Sequence, residues 1–206
     1  MSQAIAGVDV SRETILELEA FAALTAKWTA KINLIARGTV DSIWDRHIVD
    51  SVQLYKFAPK SFEKWVDIGS GGGFPGIVMA IVAKEKHPQA QFVLIESDQR
   101  KATFLRTAAR ELNLPVQVIA ERIETAPVQN ADVVSARALT ALSGLLSLTQ
   151  RHLNQDGLAL FHKGRQSGQE VADAQKSWSF DLEENASITD PDARILAIRR
   201  VDTLGS

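Results

Sequence analysis

Val66-Asp67-Ile68-Gly69-Ser70-Gly71-Gly72-Gly73-Phe74-Pro75-Gly76 is the stretch on which the fold turns. A short apolar run with β-branched residues leads into it, four of its six middle residues are glycine, and a proline follows at a position suited to begin a helix. Strand, glycine-rich bend, helix is the local plan of an open α/β sheet. Such sheets take ligands at the carboxyl ends of their strands, where glycine lets the backbone turn sharply and come close to a bound molecule.

Working outward, the residues from Lys64 onward alternate between short β-rich runs and helical stretches. Strands are expected near 65–68, 91–95, 116–120, 132–135 and 157–161. Between them lie a helix over 76–84 that is apolar nearly all round, one over 98–113 with Ala102, Leu105, Ala109 and Leu112 inward and Arg106 and Arg110 outward, and one over 139–153. A helix near 169–178 and a hairpin of strands 180–188 and 194–201, turning at Asp190-Pro191-Asp192, close the chain. The fold class is α/β, with a mostly parallel seven-stranded sheet that finishes antiparallel.

Ahead of the glycine bend the pattern is helical. Ile15, Leu18, Phe21, Leu24 and Trp28 step by three and four behind an N-cap at Ser11, and Trp44, Ile48, Val52 and Tyr55 do so behind Asp41, up to Pro59. Two amphipathic helices of this length need a surface to pack on. Residues 1–60 are therefore expected to form an N-terminal helical cap on a core of residues 61–206, the two making one compact unit.

Composition removes much chemistry. The 206 residues include no cysteine, so disulfides, thiolate zinc sites, Cys-ligated iron–sulfur clusters and thiol nucleophiles are out, and no metal site is expected. The 45% hydrophobic content is enough for a sizeable core. No apolar run approaches the roughly 18 residues of a membrane span, and 1–9 lacks the basic-then-apolar pattern of a leader. A cytoplasmic, monomeric protein without membrane contact is expected. With 23 basic and 25 acidic residues, any contact with nucleic acid must come from local clustering.

The bend and the residues after it suggest a nucleoside cofactor. Gly71, Gly73 and Gly76 satisfy the dinucleotide spacing G-x-G-x-x-G, which fits NAD. Asp67 tips the reading toward S-adenosylmethionine, whose cationic methionine portion a carboxylate suits better than it suits a pyrophosphate; the alternative for Asp67 is a hydrogen-bond acceptor that braces the loop. Glu96, at the end of the second strand, is placed to take ribose hydroxyls in either case. Ile123 can lie against an adenine ring and Glu124 can meet the base edge. Arg137, at the end of the fourth strand, can hold a guanine or a phosphate, or pair with an acid at the sheet edge.

Absent motifs narrow the transfer. Without cysteine, attack on pyrimidine C5 by the usual thiolate route is excluded, and Ser135-Ala136-Arg137-Ala138 stands where adenine N6 transfer would use a D/N-P-P-aromatic run. A nucleophile with its own lone pair, such as guanine N7, needs only in-line placement, so no acid–base catalyst is expected.

Several segments together resemble the bacterial 16S ribosomal RNA guanine-N7 methyltransferases, the family also called glucose-inhibited division protein B or small-subunit rRNA methyltransferase G. They are Trp28–Leu34, Arg46-His47-Ile48-Val49-Asp50-Ser51, the glycine stretch itself, Glu96-Ser97, Ser135-Ala136-Arg137-Ala138 and Lys163-Gly164. The resemblance implies a Rossmann-like class I fold, cofactor contacts from Gly69, Phe74, Ile123, Glu124 and Arg137, and as substrate the guanine at position 527 of 16S ribosomal RNA, in naked RNA, the small subunit or an assembly intermediate. Glu96 where Asp is commoner, and His162 where an apolar residue is usual, depart from the pattern.

His47, Asp50 and Ser51 fall close together on the second helix, yet consecutive turns do not give a hydrolase triad. They either join cap to sheet or shape a guanine pocket. Arg46, His47, Arg137, Lys163 and Arg165 are the candidates for positioning guanine or RNA, with a solvated basic pair as the alternative for Lys163 and Arg165. Two other readings stand beside the methyltransferase: an NAD-linked oxidoreductase, and a ribosome-binding module without catalysis.

Overall fold

The computed structural model describes residues 3–205; Met1, Ser2 and Ser206 lie outside it, including the head of the segment read for a leader. Seven strands form one sheet: β3 (Lys64–Ile68), β4 (Gln91–Ile95), β5 (Val116–Ile119), β6 (Ala131–Arg137), β7 (Leu153–Lys163), β8 (Trp178–Ala186) and β9 (Arg194–Thr203). Their order is β5-β4-β3-β6-β7-β9-β8. From β5 to β7 every pairing is parallel, and β9 runs antiparallel to both neighbours. The strand that ends the chain is thus inserted one place in from the edge, and β8 forms the edge.

The central strands are buried on both faces, which is why they read as near-continuous apolar runs. Helices α3 (Gly76–Lys86) and α4 (Gln99–Glu111) cover one face, and α5 (Leu142–His152) and α6 (Ser167–Ala174) the other. In α3 every residue from Gly76 to Ala83 is buried, matching its uniformly apolar sequence. Asp98 caps α4 by accepting from the backbone amides of Arg100 and Lys101, so that helix starts one residue after its cap.

The N-terminal segment holds more than helices. A small hairpin, β1 (Gln3–Ile5) and β2 (Val8–Val10), precedes α1 (Arg12–Thr29), which Ser11 caps through the Thr14 amide. Three residues per strand are too few to show an alternation, so the hairpin was invisible in sequence. Phe21 of α1 is fully buried between Phe74 and Phe104, with ring centroids 5.1 and 6.3 Å away. Glu85 accepts from the Ser11 amide and Thr14 Oγ1 and ties the start of α1 to α3.

The second helix differs from its expected form. Asp41 does not cap it; a wide π turn over Trp44–Val49 runs into one α-helical turn, α2 (Asp50–Val52), and then a tight 3₁₀ segment, Gln53–Phe57. An i+4 reading assumes a uniform turn, and here the turn is first wide and then narrow. Helix α5 starts at Leu142 rather than 139, because Ala138 has φ +51° and interrupts any helix there. Trp178 begins β8 instead of ending a helix, since pairing with Thr203 draws it into the sheet.

Candidate active site

Strand order reverses direction between β3 and β6, and the loops leaving their carboxyl ends part to form a cleft. Its volume is about 750 Å³. The floor is Gly69 to Gly72; Ile95, Glu96 and Ser97 at the end of β4 form one wall, Arg122, Ile123 and Glu124 another, and Arg137 to Thr140 after β6 a third. Leu34, Ile35 and His47, from the segment before β3, close it on the remaining side.

Gly71 has φ +53°, and a Cβ there would meet only the Gly69 carbonyl oxygen at 3.8 Å, so the space above it belongs to the cleft. Gly76 serves packing instead. A Cβ on it would lie 2.7 Å from Asp67 Oδ2. Glu96 is held rigidly: Oε2 accepts the Gly71 amide and Oε1 the Asp98 amide, each at 2.8 Å. Each oxygen keeps a further lone pair for a hydroxyl donor. Buried His152 lies 2.9 Å from the Ile123 carbonyl and steadies that wall.

Asp67 is not where the sequence reading put it. It lies 1% exposed beneath the loop, outside the cleft, with Ser135 Oγ donating to its Oδ1 at 2.6 Å and Oδ2 without a partner. Desolvation pushes its pKa up to about 7, against the hydrogen bond from Ser135 that favours the charged form. It braces the loop through Ser135 and does not line the cleft. Gly73 also turns away, toward Ile77 and Phe21.

A second cavity of about 650 Å³ adjoins the first across Arg137, His47 and Ala138. Arg46, Asp50, His162, Lys163 and Thr189 are among its lining residues. Arg137 Nη2 donates to the Arg46 carbonyl at 3.1 Å and to His47 Nδ1 at 2.9 Å. Arginine can only donate, so His47 Nδ1 carries the lone pair and its Nε2–H points at Thr39 Oγ1, 2.9 Å away. Burial first, and then the guanidinium of Arg137, lower the His47 pKa to about 4. His47 is therefore neutral, its ring 5.0 Å from that of Phe74.

His162 Nε2 donates to the Asp50 carbonyl at 2.8 Å and fastens β7 to the second helix, and burial lowers its pKa. Ser51 is fully buried and has no hydrogen bond to His47, so no triad exists. Lys163 is not free for phosphate: Nζ lies 2.5 Å from Glu170 Oε2 and donates to the Thr140 carbonyl at 2.9 Å. Glu170, partly exposed, in turn accepts the Leu142 amide, so its pair with buried Lys163 sets the course of the loop after β6. Arg165 lines neither cavity and pairs with Asp192 at the surface. Sequence reasoning missed Leu34, Leu139 and Lys101, which meet the cleft only through the way loops pack.

The profile of a family described as rRNA small subunit methyltransferase G matches residues 14–196. The chain belongs to that family. Relatives named ribosomal RNA small subunit methyltransferase G include one from Cereibacter sphaeroides (strain ATCC 17029), 53% identical over 195 residues and covering 95% of each chain. One from Ruegeria pomeroyi is 50% identical over 194 residues, 94% of this chain and 95% of its own. As a member of the small subunit methyltransferase G family, the protein is a methyltransferase. Among solved structures, M. jannaschii TYW2 in complex with AdoMet superposes with a TM-score of 0.58 at 13% identity, over 85% of this chain and 80% of that one. The 16S rRNA methylase RmtB does so with a TM-score of 0.55 at 15% identity, over 95% and 78%. At those identities the likeness is one of fold. Among the described residues no helix is long and apolar enough to cross a membrane, and no group of three metal-binding side chains occurs.

Proposed function

We propose that this chain transfers a methyl group from S-adenosylmethionine to N7 of the guanine at position 527 of 16S ribosomal RNA. The observation that carries the reading is the pair of cavities sharing Arg137 as a wall, one suited to a nucleoside cofactor and one open to a base. Membership of the family supports the ribosomal RNA substrate.

The residues present fit the cofactor. Glu96 offers acceptor capacity to ribose hydroxyls, Ile123 an apolar face and Glu124 an edge to adenine, Gly71 leaves backbone room beside the methionine portion, and Gly69 lines the floor under Leu139. When bound, the cofactor supplies a methyl group on a positively charged sulfur. Arg137 sits at the junction of the two cavities, where it holds the base against the cleft by hydrogen bonding and offsets RNA phosphate charge. Neutral His47 fixes the Arg137 side chain and does not act as a base. None is required, because guanine N7 already carries the attacking lone pair; catalysis is orientation and electrostatics.

Arg46 is an exposed cation at the rim whose side chain has no ion-pair partner among the described residues, and it can meet phosphate. The reading extends to a monomer acting in the cytoplasm on the small subunit or its precursor, with residues 1–60 as cap and 61–206 as core. Incubation with labelled cofactor and 16S RNA lacking the modification, followed by mapping of the labelled nucleotide, tests it. Label at the guanine at position 527 on N7 is expected; label elsewhere, or none, overturns it.

A further inference from the structure

Asp50 has one carboxylate oxygen held by hydrogen bonds and one held only by ion pairing. Its Oδ1 accepts from Thr189 Oγ1 at 2.5 Å and from Gln53 Nε2 at 2.9 Å. Its Oδ2 accepts no hydrogen bond among the described residues but is ion-paired with Arg137 Nη1 at 3.4 Å, with His162 Nε2 at 3.7 Å, so it keeps lone-pair capacity for a further donor. The side chain keeps 13% exposure and lines the second cavity. It also sits where the π turn gives way to α2, a kind of helix irregularity found often at functional sites.

Position relative to the two cavities gives this oxygen a reading. Arg137 borders both cavities, whereas Asp50 borders only the second. On guanine, O6 lies between N7 and N1–H along one side of the ring system. For a base whose N7 faces the cofactor cleft, the order N7, O6, N1–H along its edge matches the order cleft, Arg137, Asp50 across the two cavities. The neighbouring acids suit the task less well: Glu170 Oε2 is already taken by Lys163 and the Leu142 amide, and Asp190 accepts within its own exposed turn.

We infer that Asp50 is a specificity-determining residue that accepts the N1–H of the target base, an inference that rests on the guanine-N7 reading above. Adenine presents the reverse pattern, an amino group where O6 would be and a bare lone pair at N1. It would set donor against the guanidinium and lone pair against the carboxylate, so it is rejected though it too has an N7. A carboxylate enforces this more strictly than an amide, because an amide can turn its donor to the lone pair.

Target RNAs carrying guanosine, inosine or 2,6-diaminopurine riboside at the methylated position, each with N7 intact, test the inference by initial rates of methyl transfer. Inosine keeps O6 and N1–H; diaminopurine keeps the 2-amino group but has a bare N1. The native protein is expected to methylate inosine within about tenfold of guanosine and diaminopurine at least about 100-fold more slowly. Asp50→Asn is expected to narrow the guanosine-to-diaminopurine ratio by about tenfold or more. A ratio within one variant does not depend on the fraction folded, and if Asp50→Asn fails to fold, Asp50→Ser is measured in its place, with the same narrowing of the ratio expected. Comparable rates on guanosine and diaminopurine with native protein, or an unchanged ratio in Asp50→Asn, overturn the inference. Absence of N7 methylation on guanosine itself overturns the underlying function, and is seen in that arm alone.

Discussion

Arg137 Nη2 donates to His47 Nδ1 across 2.9 Å, and this bond joins the end of β6 to the second helix of the cap. Only neutral imidazole can accept it. The His47 pKa is lowered to about 4 in the fold, so its contribution to stability is present above the ordinary value near 6.5 and is lost as pH falls through 4. The loss is bounded by about 3 kcal/mol. Urea denaturation at pH 7 and pH 4.5 should show His47→Gln closing part of the gap, with a smaller fall than the native protein.

Asp67 has the opposite dependence. Its pKa is raised to about 7, so its contribution is fully present below the ordinary carboxylate range and lost as pH rises through 7. Asp67→Asn keeps an acceptor for Ser135 without a charge to bury. The stability of Asp67→Asn relative to native protein should rise between pH 4 and pH 8, by at most about 4 kcal/mol, in paired denaturation curves. An equal pH response in the two proteins would contradict the assignment.

Gly71→Val forces a β-branched residue to φ +53° and points it into the cleft. Cofactor affinity by calorimetry should fall at least about tenfold, with a stability cost of about 1–3 kcal/mol. Glu96→Ala removes an acceptor that two backbone amides also use, and a milder loss of affinity is expected. Retained affinity in both would remove the cofactor from this cleft.

Lys163 and Arg165 are two residues apart and should behave differently. Lys163→Met leaves Glu170 without its buried partner and should cost about 3 kcal/mol, whereas Arg165→Ala at the surface should change stability by less than about 1 kcal/mol. Thermal melts of the two variants separate them.

Arg46→Ala should weaken RNA binding and reduce its salt dependence by about one phosphate contact. Affinity titrations from low to moderate salt measure that slope. An unchanged slope would remove Arg46 from the RNA contact.

Much of the cleft was legible in sequence because strand-end chemistry is local. Gly71, Glu96, Ile123 and Arg137 were found by counting from the ends of apolar runs, and each lines the cleft. Asp67 was misplaced because its sequence position says nothing about whether a side chain points into the cleft or beneath the loop. Lys163 was read as a free cation because Glu170, its partner, is seven residues on in another element. The second helix was legible as a helix and not in its phase, since periodicity assumes one turn width.

By itself the amino-acid order determined the class of sheet, the glycine bend that floors the cleft and the absence of thiol chemistry, all of which depend on residue type and short spacing. Only the tertiary structure decided which charged groups are already paired and which remain available to a ligand. Asp50 and His47 come from the second helical segment and Arg137 and His162 from β6 and β7, and their pairings exist only where residues 44–57 pack on the end of the sheet.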